Sequence, residues 1–175
     1  TTDNVKEALF NILQFDVEGR RVLDLFAGTG QLGIEALSRG AKSAVFVDAD
    51  REAAAIVKDN LKSCALTGEV YRQDALSFLR QGRVFDLIFV DPPYDDGLYE
   101  PVLETIKSVD NLSEGGIIVC EARRERALPD MAAPYRKRKE YRYGRVKLAV
   151  YTKETTASCV PPSAPEASTP SPSVT

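Results

Sequence analysis

Hydrophobic and polar positions in this chain recur with two periods in turn, one helical and one extended, and the alternation predicts its elements. Val5, Ala8, Leu9, Ile12 and Leu13 lie on the i, i+3, i+4, i+7, i+8 stripe of one helical face, behind the capping residues Thr2, Asp3 and Asn4. Gly19 closes that element, and residues 21–26 (R-V-L-D-L-F) read as a strand. A glycine-rich turn then enters a helix over residues 31–39, for which Gly40 is a natural stop. Residues 44–47 form a short buried strand ending at Asp48. Asp50 caps a further helix in which Ala53, Ile56, Val57 and Leu61 share a face. Residues 70–72 predict a third strand, followed by Asp74 and a short helix through Phe78 and Leu79. The run Phe85-Asp86-Leu87-Ile88-Phe89-Val90 has the β-branched and aromatic content of a strand buried on both faces. A helix around residues 99–107 turns Val102, Leu103 and Ile106 inward, and residues 116–121 make a fifth strand. Residues 135–143 and 145–151 then read as two strands joined tightly at Gly144, a β-hairpin. Strands alternating with helices and ending in a hairpin predict an α/β fold, a doubly wound, Rossmann-like, mostly parallel sheet with an antiparallel edge.

The apolar run at 85–90 stops at Asp91-Pro92-Pro93-Tyr94. Neither proline has a backbone donor and each has a fixed φ, so the ladder cannot continue past Asp91. A carboxylate, a proline carbonyl and an aromatic ring are thereby gathered at the carboxyl end of a strand, the edge where open α/β sheets bind ligands. An ordinary turn closing the strand accounts for the same residues equally well.

The chain has 175 residues, 43% apolar and 28% charged, which fits one globular domain with a sizeable core. After Lys153 the composition shifts to Ser, Thr, Pro and Ala. The expected organisation is a domain over 1–153 and a disordered tail over 154–175. There is no histidine, and Cys64, Cys120 and Cys159 form no CxxC pair, so a zinc site and histidine general-base chemistry are not expected. A reduced, cytoplasmic setting fits this cysteine usage, and no apolar run reaches the roughly 20 residues that span a bilayer. The first residue is Thr1 rather than Met, as in a fragment lacking its native start.

Gly28-Thr29-Gly30-Gln31-Leu32-Gly33 is a G-x-G-x-x-G turn between strand and helix, and Asp48 ends the next strand where it can bind ribose hydroxyls. A nicotinamide dehydrogenase is one reading. Asp24 argues against it, because a carboxylate just before the turn repels a pyrophosphate and suits an ammonium group. Asp74, at the end of the third strand, suits an adenine amino group. For each acid a helix N-cap is the competing explanation, strong for Asp50, real for Asp74, and weak for Asp24, which lies far ahead of its helix. An adenosine bearing an amino acid satisfies all three acids, and that ligand is S-adenosylmethionine. The candidate cofactor-binding set is Asp24, Ala27, Gly28, Gly30, Asp48, Ala49, Asp74 and Ala75; the candidate catalytic set is Asp91, Pro92 and Tyr94; no metal ligand is expected.

The overall charge of −3 hides an uneven distribution. Between Cys120 and Lys147 ten Lys or Arg face four acids, locally +6, with Tyr135, Tyr141 and Tyr143 interleaved. Such a segment suits phosphate contact with base stacking, and equally suits a solvated edge hairpin protected by its cations.

The motifs D-L-F-A-G-T-G-Q-L-G-I-E-A-L-S-R-G-A, V-D-A-D-R, D-A-L-S-F-L and V-D-P-P-Y, in this order and spacing, resemble class I S-adenosylmethionine-dependent methyltransferases. With T-T-D-N-V-K-E-A-L-F-N-I-L at the start and the Y-G-R-V-K-L hairpin, residues 1–153 are similar to the bacterial guanine-N2 methyltransferases of 16S ribosomal RNA. The resemblance implies a seven-stranded sheet of order 3-2-1-4-5-7-6. It also implies methylation of the exocyclic amine of guanine 966 in 16S RNA or a partly assembled small subunit; the basic region Arg123–Lys147 is the expected docking surface. A monomer is expected. Family members carry a basic segment ahead of T-T-D that is not in this sequence, and the Ser/Pro-rich tail lies outside their pattern. The alternatives are an adenine-N6 methyltransferase acting on DNA, a protein-glutamine methyltransferase, and an idle nucleotide-binding module.

Overall fold

The computed structural model describes residues 2–93 and 97–155. In chain order its elements are α1 (Asp3–Ile12), β1 (Arg21–Asp24), α2 (Gln31–Ser38), β2 (Ser43–Asp48), α3 (Arg51–Ser63), β3 (Glu69–Arg72), α4 (Ala75–Leu79), β4 (Phe85–Val90), α5 (Tyr99–Val109), β5 (Leu112–Arg123), β6 (Tyr135–Tyr143) and β7 (Val146–Lys153). The seven strands form one sheet in the order β3-β2-β1-β4-β5-β7-β6, as the motif resemblance implies. β1 to β5 run parallel, and β7 pairs antiparallel with both β5 and β6. The expected tail beyond Thr155 lies outside the described residues.

Side chains alternate across each strand, so the sheet feeds two cores. Leu23, Val45, Val47, Ile88, Val90, Ile118 and Cys120 pack on one face with α4 and α5. Val22, Phe46, Leu87, Phe89, Ile117 and Val119 pack on the other with α1, α2 and α3. β4 lies at the centre, and Leu87 to Val90 are all at most 1% exposed. Each side chain buried this fully contributes about 1.5–3 kcal/mol, which keeps the strand end immobile and makes it a rigid base for a site.

Two helical faces differ from expectation. In α3 the inward stripe is Ala54, Val57 and Leu61, and Ile56 stands 43% exposed. Both stripes contain Val57 and Leu61, and the helix turns Ala54 inward and leaves Ile56 outside. In α1, Phe10 is fully buried, stacked edge-on against Phe89 of β4 with ring centroids 5.9 Å apart, while Ala8 and Ile12 are only half-buried. An aromatic ring reaches the core from a position off the central stripe because it is long.

At the amino-terminal edge of the sheet, Asp86 receives the backbone N–H of Arg21 at 2.8 Å, its guanidinium at 2.8 and 3.0 Å, and the Ser113 hydroxyl at 2.7 Å. Those donors, the Arg21 guanidinium foremost, hold the Asp86 carboxyl well below the usual carboxylate range. This fastening ties β1, β4 and the start of β5 at the edge opposite the site. It leaves the carboxyl edge for chemistry.

Candidate active site

β4 ends at Val90, and the chain places Asp91 half-buried and Pro92 buried beyond it. The missing proline donors account for the strand's end, as the sequence predicts. Tyr94 lies outside the described residues. On one side of Asp91 stands the glycine turn; on the other is an open pocket of about 170 Å³ lined by Asp91, Pro92, Tyr99, Glu121, Ala122, Arg123 and Val146.

The turn is held by its own backbone. Ala27 N–H donates to the Val47 carbonyl at 3.0 Å, Gly30 N–H to the Ala27 carbonyl at 2.7 Å, and Gly28 N–H to Asp48 Oδ2 at 2.9 Å. Gly28 and Gly30 have φ of +54° and +78°, the left-handed region that glycine enters at no steric cost. Gly33 serves a different purpose. A Cβ there would stand 2.3 Å from the Phe46 ring, so this glycine lets α2 lie directly on β2 and makes no room for a ligand.

Asp24 is 2% exposed and accepts the Gly33 N–H at 2.9 Å. The helix cap, weak for Asp24 from its distance in the sequence, is formed after all: α2 packs back over β1, so the carboxylate reaches the amide three positions into the helix. The cap uses Oδ2 alone. Burial, together with the nearby charges of Asp91 and Asp48, pushes the Asp24 carboxyl up to about 7 despite that hydrogen bond. A buried carboxyl raised so far, beside a glycine turn, marks a place where a cation would be welcome.

Asp48 is half-buried at the end of β2, one oxygen on Gly28 N–H and the other on Asp50 N–H at 2.9 Å. Asp50 caps α3 as expected, accepting from Glu52 and Ala53. Asp74 caps α4, accepting the Ser77 N–H at 2.9 Å through Oδ2, so the competing explanation for this acid holds. The Gln73 N–H bonds the Asp48 carbonyl at 3.0 Å and brings Asp74 beside the end of β2. Ala27 and Ala75 are buried and Ala49 is exposed. Asp24, Asp48 and Asp91 thus converge around the turn, while Asp74 stands at the outer strand. The described residues contain no cluster of acids, cysteines or histidines arranged to hold a metal.

The pocket beyond Asp91 contains residues that the sequence alone does not single out. Val90 pairs with Cys120 as the last register of β4 and β5, which makes Glu121 the cross-strand neighbour of Asp91. Glu121 is 8% exposed, and its carbonyl accepts the Tyr99 hydroxyl at 2.6 Å. The available signal was an acid at the carboxyl end of the fifth strand, one more in the series formed by Asp24, Asp48 and Asp91.

The basic segment divides into two main populations, with Arg138 and Lys139, the latter over the Tyr141 ring at 4.8 Å, outside both. Arg126 pairs with Glu100, Arg136 with Glu154, Lys137 with Asp130 and Glu140, and the buried Lys147 with Glu140. These cations hold the hairpin and its connection in place. Arg123, Arg124, Arg142 and Arg145 make no ion pair with the described residues, and all four flank the Gly144 turn at the carboxyl edge, beside the pocket.

Residues 1–152 match the family described as conserved hypothetical protein 95. The chain belongs to that family. YlbH of Bacillus subtilis, provisionally named an rRNA methyltransferase, is 43% identical over 159 residues, covering 87% of this chain and 86% of the relative. Ribosomal RNA small subunit methyltransferase D of Escherichia coli is 36% identical over 156 residues, covering 88% of this chain and 79% of that one. The solved structure of Escherichia coli yhhF superposes with a TM-score of 0.83 at 34% identity, over 89% of each chain. This is the 16S ribosomal RNA guanine-N2 methyltransferase family that the motifs resemble.

Proposed function

We propose that this protein transfers a methyl group from S-adenosylmethionine to the exocyclic N2 amine of a guanine in 16S ribosomal RNA, guanine 966 in the family pattern. The observation that carries the reading is the position of Asp91-Pro92, fixed at the end of β4 between the glycine turn and the pocket. When bound, S-adenosylmethionine supplies an electrophilic methyl group. Its ammonium group suits the raised, buried Asp24, its ribose suits Asp48, and its adenine amine suits Asp74, with Ala27, Gly28, Gly30, Ala49 and Ala75 lining the approach.

Guanine N2 is a weak nucleophile because its lone pair is delocalised into the ring. Geometry matters more here than a strong base. Asp91 and the Pro92 carbonyl accept the two N–H bonds and turn the lone pair toward the methyl donor. As the nitrogen–methyl bond forms and the sulfonium's bond to the methyl group breaks, positive charge grows on nitrogen, and the Asp91 carboxylate stabilises it more in the transition state than in the ground state; one N2 proton then leaves to solvent. Tyr94 stacks on the extruded base. The basic edge around Gly144 takes the flanking phosphates. The setting is cytoplasmic, on free RNA or an assembling small subunit, with the protein acting as a monomer.

Labelled methyl transfer to 16S RNA, immature small subunits and DNA, assayed in parallel, tests the reading. Incorporation into the ribosomal substrates is expected, and incorporation into DNA alone would overturn it. Asp91→Ala should leave the cofactor Kd nearly unchanged while lowering kcat by about 10²-fold or more. Comparable losses in both would remove Asp91 from the chemistry.

A further inference from the structure

We infer that Glu121 and Arg123 form the guanine-selecting edge of the pocket, a specificity device distinct from the clamp on the reacting amine. The inference rests on the proposed guanine-N2 reading of the same site. Guanine presents, in order along one edge, the N2 amine, the N1–H donor and the O6 acceptor. With N2 held at Asp91 and Pro92, N1–H is the next group along. Glu121 is the next residue along too, because the β4–β5 register sets it beside Asp91. It is 8% exposed and lines the pocket with Asp91. A carboxylate can only accept while ionised, so it welcomes N1–H and opposes the bare N1 lone pair of an adenine-like edge.

Arg123 lies two residues further along β5, on the same face of the strand, and also lines the pocket. It is exposed and makes no ion pair with the described residues, and it ends the ladder opposite Val146. Its guanidinium supplies a donor for O6, the one edge group that a carboxylate would repel. An acceptor followed by a donor is the complement of guanine's N1–H and O6. The same sequence mismatches 2,6-diaminopurine at both positions, although that base carries the identical 2-amino group. Sites that hydrogen-bond a substrate group reject analogues lacking it far more strongly than apolar pockets reject a missing methylene.

The test uses the full chain and RNA substrates carrying guanine, 2,6-diaminopurine or 2-aminopurine at the modified position. Wild type should favour guanine over 2,6-diaminopurine by about 10²-fold or more in kcat/KM. Glu121→Gln, whose amide can donate to a bare N1, should narrow that ratio at least about tenfold with the cofactor Kd unchanged. Arg123→Met, at an exposed position where folding is not at stake, should narrow the guanine to 2-aminopurine ratio by about fivefold or more. An unchanged ratio in either variant overturns the inference. If wild type methylates no guanine substrate, the underlying functional reading fails first, which separates the two failures.

Discussion

Asp24 and Asp91 are both acids at strand ends, yet their surroundings suit them to opposite tasks under the proposed function. Asp91 is half-buried beside an open pocket, where it can accept from a substrate amine. Asp24 is sealed under α2 with its carboxyl raised to about 7, against about 3.9 in an unfolded chain. A raised acid favours the fold below about pH 4, and that contribution is lost as pH rises through about 7. Asp24→Asn keeps an acceptor for Gly33 and removes the buried charge. Without cofactor, the variant should therefore melt a few degrees above wild type at pH 8, with the gap closing toward pH 5. Cofactor should act in the reverse sense, since an ammonium partner draws the Asp24 proton off. Its affinity for wild type should rise between about pH 5.5 and 6.8, below most of the titration of the cofactor's own amine, and the rise should flatten in the variant. Calorimetric melting and titration across this pH range give both readouts. A variant that is less stable at pH 8 and binds cofactor with the wild-type pH dependence would contradict this assignment. Asp24's place on the first strand just before the turn was legible in the sequence, although the strand ends at Asp24 rather than at Phe26. Its bond to Gly33 was not, because it depends on how α2 folds back over β1.

At the scale of elements, the best-read parts were those whose punctuation is local. The end of β4 follows from two prolines, and the caps of α3 and α4 follow from Asp50 and Asp74. What escaped was set by contacts between elements: the face that α3 turns inward, the burial of Phe10, and the pairing that puts Glu121 beside Asp91. The glycine motif shows both cases at once. Gly28 and Gly30 serve a turn that the spacing announces, but Gly33 answers to Phe46, thirteen residues away on another element. Gly33→Ala would drive a methyl group into that fully buried ring, at a cost of about 1–3 kcal/mol in denaturant unfolding. Phe46→Leu in the same chain should recover part of the loss, with a coupling of about 0.5 kcal/mol or more in the double-mutant cycle. Strict additivity would mean that the ring is not what the glycine accommodates.

For the whole molecule, the question is how a chain with net charge −3 approaches an RNA. The described structure answers by distribution. Several cations of the 123–147 segment are consumed in ion pairs that hold the hairpin, and four of the six without an ion pair among the described residues, Arg123, Arg124, Arg142 and Arg145, flank Gly144 at the carboxyl edge, while Arg138 and Lys139 lie further down β6. The same antiparallel pairing of β7 with β5 that completes the sheet returns the chain to that edge, so the fold itself delivers positive charge to the pocket mouth. Phosphate contacts release counterions, and for single strands each one contributes about −0.7 to the slope of log K against log salt. Arg142→Gln with Arg145→Gln should therefore reduce that slope by about 1.4 and leave the cofactor Kd unaltered. Arg136→Gln removes one positive charge from a residue paired with Glu154 at the opposite end of the hairpin, and should leave the slope where it was. A fall of about 0.7 from Arg136→Gln, half that of the double variant, would show that RNA senses the charge of the hairpin as a whole. A selective effect at Gly144 would show that the strand order aims it.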